Sequence, residues 1–385
     1  MTMAIAGARE RTLEEIKHEV LRRTGERISP FGHVRREDVE GILQSVTSLD
    51  RDHWAGQWCR VGLAYEAEGD GMARKGGDPK RAGEAYYSAY DYCRIGRYPC
   101  ASTPGQKQAY GHSLRMFRKA AKFFSVPLEI VELSFKEHKL VGYLQVPAGL
   151  AKPPVVCHWG GVDGWKEDRQ RANDMLHRLG LATLTVDMPG TGENTVRYTD
   201  PDAERTYSAW IDYLATRKDV DGSRIGVWGG SFGAYWAARL AFTEAKRLKA
   251  AVFHGGNVHY GFQEKWLRQA FTKGASTYLF GPASLLEARS QAMGVNTMEE
   301  LIAIAPGFSL KDMGLLDRPS AAILGVNGKL DDQAPVEDIY LLMEHGSPKC
   351  ARVYPEGGHM GRTPGMPEDE ITAAITGWLK EQISR

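Results

Sequence analysis

The sequence predicts an α/β protein: a mostly parallel, doubly wound sheet with helices on both faces, preceded by an all-helical domain. Three observations lead to this prediction. Apolar residues recur at helical spacing through residues 1–126. From residue 127, short apolar runs alternate with helical patterns, which is typical of a parallel sheet covered on both faces. A glycine-rich turn at Ser231 joins one such strand directly to a helix.

Size, charge and cysteine usage narrow the class of protein. A chain of 385 residues exceeds the usual single domain, so we expect two domains, residues 1–126 and residues 127–385. The formal net charge of +1 argues against a nucleic-acid partner or an acidic membrane surface. The five cysteines are scattered without metal-type spacing. The first segment lacks the basic start of a signal peptide, and no apolar run is long enough to span a bilayer, so we expect a reduced, cytoplasmic protein.

The first domain is predicted to be helical throughout. Pro79 and Pro104 stand where two of its helices begin. The predicted helices cover residues 12–23, 36–46, 54–66, 79–95 and 103–124. The domain is rich in tryptophan and tyrosine, most of which we expect to pack helices together. A minority should line a substrate pocket, and for this role we choose Trp54, Trp58 and Tyr90.

The second domain alternates strands and helices. The predicted strands cover residues 128–135, 140–146, 155–157, 182–186, 225–228, 250–253, 320–326 and 351–355. The predicted helices that alternate with them include residues 167–179, 203–216, 336–344 and 368–381. A helical insertion, residues 256–306, stands where a lid would exclude water from a site. Functional groups are expected at the carboxyl ends of the parallel strands.

The turn Gly229-Gly-Ser-Phe-Gly233 fits the pattern G-x-S-x-G of a nucleophile elbow. Its glycines allow a tight strand-to-helix turn that holds Ser231 in a strained backbone conformation with its hydroxyl exposed. The next helix points its positive N-terminal end at the same place, where the amide of Phe232 can bind a developing oxyanion. The motif therefore predicts Ser231 as a nucleophile and Phe232 as an oxyanion-hole donor.

An elbow of this kind requires an acid and then a histidine later in the chain. Asp331 lies in the loop after the strand 320–326, and its neighbour Asp332 is the residue with which it could be confused. His359 follows the last strand in a glycine-rich loop, where a general base is expected. The sequence shows no cluster of metal-ligating residues and no nucleotide-binding loop, so we expect neither a metal nor a cofactor.

Two more glycine-rich loops follow strands at the same edge of the sheet. After the third strand, Gly160 or Gly161 could supply a second oxyanion-hole amide, because the backbone must approach the substrate closely there. The loop 187–194 superficially suggests a nucleotide site, but it lacks the third glycine of G-x-G-x-x-G and we interpret it as structural. His254 and His259 are also interpreted as structural, since neither lies where the elbow pattern requires a partner.

Nearly the whole chain resembles one family of α/β-hydrolases. The order Ser231, Asp331, His359, the loop Asp187-x-Pro-Gly-x-Gly-Glu and the helical first domain resemble 2,6-dihydroxypseudooxynicotine hydrolase, fungal polyketide chain-shortening hydrolases and fermentation-respiration-switch type esterases. The segment Tyr86-Tyr-Ser-Ala-Tyr-Asp-Tyr-Cys-Arg-Ile-Gly-Arg-Tyr-Pro extends the resemblance into the first domain, which it identifies as a cap. In the carbon-carbon bond hydrolase of this family, a glutamate in a Gly-Gly-Leu-Glu loop assists the chemistry. Here Asp163 takes its place in Gly-Gly-Val-Asp, and the resemblance implies a catalytic role for it.

Three functions are compatible with these features. The resemblance implies hydrolysis of a carbon-carbon bond beside a ketone in an aromatic or polyketide-like substrate, and Asp163 and the aromatic cap favour this function. A carboxylesterase acting on a bulky ester would use the same serine, histidine and aspartate. The third candidate is a non-catalytic interaction protein on a hydrolase fold. We expect a small-molecule substrate and no nucleic-acid or membrane partner; a homodimer is left open.

Overall fold

The computed structural model describes residues 10–74, 77–272, 278–345 and 349–385. They form two compact units, a helical unit of residues 10–128 and a second unit of residues 129–385. The sequence predicts the division after residue 126. No helix in these described ranges is long and apolar enough to cross a membrane.

The helical unit is built from helices that begin where the sequence supplies capping residues. Its helices are α1 (Leu13–Gly25), α2 (Arg36–Ser45), α3 (Arg51–Arg74), α4 (Pro79–Gly96) and α5 (Pro104–Ala120). The Thr12 side chain accepts from the Glu15 amide while the Glu15 carboxylate accepts from the Thr12 amide, which satisfies two amides that the helix itself leaves unpaired. Asp78 caps the N-terminal end of α4 and stands directly before the proline with which that helix begins.

The three aromatic residues chosen for substrate contact have packing partners inside the helical unit. Trp54 and Trp58 are fully buried, with ring centroids 5.4 Å apart, and the indole N–H of Trp54 donates to the carbonyl of Ile95 at 3.0 Å. Tyr90 is buried against Phe117 in an edge-to-face pair, with centroids 5.3 Å apart. These contacts describe a helix-packing core, and substrate contact by these three residues stays a prediction.

The second unit is organised by a sheet that has eight strands in the described ranges. The strands are β1 (Leu128–Phe135), β2 (His138–Gln145), β3 (Pro154–Trp159), β4 (Ala182–Val186), β5 (Asp221–Gly230), β6 (Leu248–His254), β7 (Ala322–Gly328) and β8 (Lys349–Tyr354). Their order is β1-β2-β4-β3-β5-β6-β7-β8. All neighbours from β4 to β8 are parallel, whereas β2 pairs antiparallel with β4. The predicted mostly parallel sheet is confirmed.

The helices of this unit are α6 (Gln170–Arg178), α7 (Ala203–Thr216), α8 (Ala234–Thr243), α9 (Glu264–Thr272), α10 (Pro282–Met293), α11 (Met298–Ile304), α12 (Glu337–Glu344) and α13 (Glu368–Ile383). Of these, α6, α7, α8, α12 and α13 pack against strands of the sheet. Helix α13 buries Ile375 and Leu379 against Val156 and Val252 of the central strands, while α7 and α8 also pack on β5. Every residue of β3 and β4 is buried, as expected for strands covered on both faces.

The architecture brings the predicted functional residues to one edge of the sheet. Ser231 directly follows β5, Asp331 follows β7 and His359 follows β8. Since these strands run parallel, their carboxyl ends meet at the same edge. The insertion between β6 and β7 contains α9, α10 and α11, and residues 273–277 within it lie outside the described residues.

Candidate active site

The turn at Ser231 is as tight as the sequence motif predicts. Ser231 has φ = 53°, in the left-handed region that costs energy for a residue with a Cβ. A 3-10 turn, Ser231–Gly233, connects β5 directly to α8. At Gly233 a Cβ would collide with the carbonyl of Gly160, and at Gly256 it would come within 2.8 Å of the Ser231 carbonyl. Glycine at these two positions lets the neighbouring loops press against the turn.

Ser231, His359 and Asp331 form a continuous hydrogen-bonded series. The Oγ of Ser231 lies 2.8 Å from Nε2 of His359, and Nδ1 of the same ring lies 2.8 Å from Oδ2 of Asp331. The Asp331 side chain is completely buried and that of His359 is only 9% exposed. Because a carboxylate accepts, it fixes the proton on Nδ1 and leaves Nε2 as the acceptor facing the serine hydroxyl.

Asp331 is held in one orientation by its own loop and by the end of β7. Its Oδ1 accepts hydrogen bonds from the amides of Gln333 at 2.8 Å and Ala334 at 3.2 Å. Its Oδ2 accepts from the side-chain amide of Asn327 at 2.9 Å as well as from His359. Both oxygens are therefore occupied by donors that orient the carboxylate towards the imidazole. Asp331, rather than the half-buried Asp332, is the carboxylate that reaches the histidine.

Asn327 and His254, which the sequence did not single out for this role, hold the histidine loop in place. Met360, directly after His359, has φ = 62°, and its amide donates to Oδ1 of Asn327 at 3.0 Å. Its carbonyl lies 2.8 Å from Nε2 of His254. Burial lowers the pKa of His254 to about 3, so its ring is neutral at ordinary pH and Nε2–H can donate to this carbonyl. Asn327 and His254 thus fix both polar backbone groups of Met360.

Gly161 is closer to the nucleophile than Gly160 is. A Cβ placed on Gly161 would lie 2.8 Å from Cβ of Ser231 and 3.0 Å from the amide nitrogen of Phe232. A Cβ on Gly160 would instead collide with the carbonyl of Gly164, inside its own loop. The backbone of Gly161 therefore lies against the amide of Phe232, in the place expected for the second side of an oxyanion hole. Asp163 lies two residues further along this loop and is half-buried.

A buried ionic cluster anchors the end of the oxyanion loop. The ammonium of Lys166, completely buried, lies 2.8 Å from Glu167, 2.8 Å from Asp187 and 2.7 Å from Glu193. Asp187 also accepts from the amides of Lys166 and Glu193, both at 2.9 Å. Burial raises the pKa of Glu167, which lessens the excess of negative charge around the single lysine. The loop 187–194 therefore makes structural contacts to the oxyanion loop.

The described residues contain no group of three histidine, cysteine, aspartate or glutamate side chains that could hold a metal ion. The site offers a serine hydroxyl, an imidazole whose Nε2 faces that hydroxyl, an oriented carboxylate and backbone amides. This set can transfer an acyl group to serine and then to water.

Comparison with known proteins identifies the family of this chain. The family model described as "Esterase FrsA-like" matches residues 19–351. Esterase FrsA of Vibrio cholerae serotype O1 is 27% identical over 370 residues, covering 93% of this chain and 83% of the relative. Esterase FrsA of Yersinia pestis is 29% identical over 283 residues, covering 72% and 65%.

Two solved structures share the fold over both units. The 2,6-dihydroxy-pseudo-oxynicotine hydrolase superposes with a TM-score of 0.76 at 23% identity, over 91% of this chain and 93% of that one. Wild-type AbyA5 gives a TM-score of 0.72 at 20% identity, over 97% and 100%. At such identities the likeness shows the fold alone. The family match covers most of the chain, so the protein is an α/β-hydrolase enzyme that belongs to the FrsA-like esterase family.

Proposed function

We propose that this enzyme hydrolyses a small-molecule substrate through an acyl-enzyme on Ser231. The observation that carries the proposal is the pair of 2.8 Å contacts from serine to imidazole and from imidazole to a completely buried carboxylate. A serine hydroxyl attacks a carbonyl only when a base removes its proton, and this series supplies a base with its acceptor nitrogen already in place.

The reaction would proceed in two halves. Nε2 of His359 takes the proton as Ser231 attacks the carbonyl carbon, and Asp331 stabilises the imidazolium that forms. The amides of Phe232 and Gly161 receive the negative charge on the carbonyl oxygen. His359 then gives its proton to the leaving group, and a water molecule, activated by the same imidazole, releases the acyl group from Ser231.

The bond that is cleaved separates two candidate functions. We propose a carbon-carbon bond beside a ketone, with a leaving carbanion that an aromatic ring or a second carbonyl delocalises. Similarity to 2,6-dihydroxy-pseudo-oxynicotine hydrolase along nearly the whole chain supports it, together with Asp163 in the oxyanion loop. A bulky ester is the second candidate, which the family description supports.

A panel of substrates tests both candidates. Purified enzyme is incubated with short 4-nitrophenyl esters and, separately, with aryl β-diketones, and product formation is followed by absorbance and mass spectrometry. Turnover of the diketones supports carbon-carbon hydrolysis, whereas turnover of the esters alone supports the esterase. Ser231→Ala should abolish either activity and prevent acylation of the intact protein. An acylated or active Ser231→Ala variant would refute the nucleophile assignment.

A further inference from the structure

Arg289 of α10 lies between the residue after the nucleophile and the loop of the triad acid. Its guanidinium carbon is 5.1 Å from the centre of the Phe232 ring and 5.5 Å from that of Phe271. Its Nη2 donates to the carbonyl of Gln333 at 3.0 Å, two residues past Asp331. The insertion between β6 and β7 therefore places a positive charge directly beside the nucleophile turn.

Most of the hydrogen-bonding capacity of this arginine is unused. Arg289 is only 4% exposed, and among the described residues its Nε and Nη1 have no hydrogen-bond partner. Burial lowers the pKa of Arg289 to about 10, so the side chain is still a cation near pH 7. A buried cation with unpaired donors is costly, because those donors have lost their hydrogen bonds to water without gaining others.

Arg239, in the same unit, has the hydrogen-bond partners that Arg289 lacks. Its guanidinium also lies over an aromatic ring, that of Trp236 at 5.8 Å. Unlike Arg289, it pairs with the carboxylate of Glu204 at 2.5 Å and donates to the Tyr235 hydroxyl at 2.9 Å. Arginine over an aromatic ring is therefore compatible with a complete set of partners here, and the open donors of Arg289 are specific to its position.

Asp331 attracts Arg289 electrostatically, but its oxygens are already engaged. Two backbone amides, the Asn327 amide and the His359 ring donate to them. The part of the chain that the structure describes thus offers no acceptor to the open donors of Arg289, which remain available to a bound molecule. The planar fork of a guanidinium binds two oxygens of one anionic group in parallel, which suits a carboxylate best.

We propose that Arg289 binds an anionic oxygen group of the substrate, so that this enzyme prefers substrates bearing a carboxylate near the bond to be cleaved. The inference rests on the proposed function, since it places the anion beside Phe232, the neighbour of the nucleophile. It makes Arg289 a specificity-determining residue, and it assigns the insertion a direct part in substrate selection.

Two matched pairs of esters test the proposal on either side of the bond. The acyl pair is 4-nitrophenyl hydrogen glutarate and its methyl ester; the leaving-group pair is 4-acetoxybenzoate and its methyl ester. Within each pair the same carbonyl is attacked and the main difference is the charge of the remote group; a blank without enzyme is subtracted for each ester, because the free carboxylate of the glutarate accelerates its spontaneous hydrolysis. One charge-assisted hydrogen-bonded contact corresponds to a preference of about tenfold to a hundredfold in kcat/KM for the anionic member of at least one pair. Arg289→Gln should bring that ratio close to one, Arg289→Lys should keep part of it, and Arg239→Gln should leave it unchanged.

Two results would overturn the proposal: equal kcat/KM within both pairs for the wild type, or an equal loss on all four esters in Arg289→Gln. The second result would mean that Arg289 supports Asp331 instead. Circular dichroism and thermal unfolding establish that each variant is folded.

A binding measurement on the wild type needs neither a variant nor turnover. Calorimetry should detect binding of benzoate and much weaker binding of benzamide, and equal binding of the two would also refute the proposal. Because the neutral esters and Ser231→Ala report on the triad alone, failure of the anion preference is distinguishable from failure of the proposed hydrolysis.

Discussion

Truncation of Asn327 should damage catalysis although this residue is expected to touch neither substrate nor serine. Asn327 is 1% exposed and joins the acid loop to the histidine loop. Its side-chain amide donates to Asp331 at 2.9 Å and to the carbonyl of Ala334 at 3.1 Å, while its oxygen accepts from the Met360 amide at 3.0 Å. Asn327→Ala removes these contacts together and leaves a buried carboxylate oxygen, a carbonyl and an amide short of a partner.

The expected magnitude follows from those contacts. A lost hydrogen bond to a charged group costs about 1.5–3 kcal/mol and a neutral one about 1 kcal/mol, so the free energy of unfolding should fall by about 3–5 kcal/mol. If Asp331 and His359 are held less well in position, part of this loss also reduces stabilisation of the transition state. A reduction of about 2 kcal/mol would lower kcat/KM by about thirtyfold, since 1.4 kcal/mol corresponds to a factor of ten.

Urea unfolding and steady-state kinetics on a neutral 4-nitrophenyl ester measure the two effects. Gln106→Ala in the helical unit is a matched control, because Gln106 is also fully buried and its amide donates to the Tyr98 carbonyl at 3.1 Å while its oxygen accepts from Ser102 at 2.8 Å. The control should lose stability with little change in kcat/KM of the folded enzyme. If Asn327→Ala keeps kcat/KM within about threefold of the wild type while losing stability, Asn327 supports the fold and does not position the triad.

Three further predictions follow from the site. Asp331→Asn should lower kcat by about a thousandfold or more, because an amide favours the wrong imidazole tautomer, whereas Asp332→Asn should change it little; the reverse order would move the acid by one residue. His254 should make the protein less stable in acid. Its pKa is about 3 in the folded protein and 6.5 in the unfolded chain, so below pH 6.5 the unfolded chain binds a proton that the folded protein does not. Stability should then fall by up to about 1.4 kcal/mol per pH unit, and His254→Gln should reduce this slope in urea unfolding between pH 7 and pH 5; an unchanged slope would contradict the assignment. Asp163→Asn should retain hydrolysis of activated esters but lose most turnover of the aryl diketones, and an equal loss on both would reduce Asp163 to a loop-shaping residue.

The elements of the site that sequence could predict are those whose signal is local. The G-x-S-x-G turn needs only a strand, five residues and a helix, so the position and strained φ of Ser231 followed from the motif. The chain order of acid and histidine then restricted the search to loops after later strands, which led to Asp331 and His359. The choice between Gly160 and Gly161 could not be made, because it depends on which backbone comes close to Phe232 in three dimensions.

The roles that remained hidden depend on contacts between distant parts of the chain. His254 contacts Met360 across 106 positions of sequence, and Arg289 contacts Gln333 across 44. Neither has a motif, since a buried histidine or arginine is recognised by its surroundings and not by its neighbours in sequence. The predicted strand 320–326 also ended too early: Asn327 and Gly328 belong to β7, so the asparagine extends from a strand rather than from the loop. Trp54 shows the same limit, because an aromatic residue in a helix pattern is equally compatible with a core and with a pocket.

The cluster around Lys166 constrains how this sequence can diverge. Loss of the lysine alone would leave the buried Glu167 and Asp187 and the half-buried Glu193 close together without their cation, and loss of Asp187 alone would remove one partner of the ammonium and the acceptor of the Lys166 and Glu193 amides. Most single substitutions in this cluster are therefore disfavoured, even where replacement of all its members together would be tolerated. Across the family, we expect these positions to be kept or exchanged as a set, so that the loop behind the oxyanion hole changes slowly while residues of the insertion, Arg289 among them, are free to diverge with the substrate.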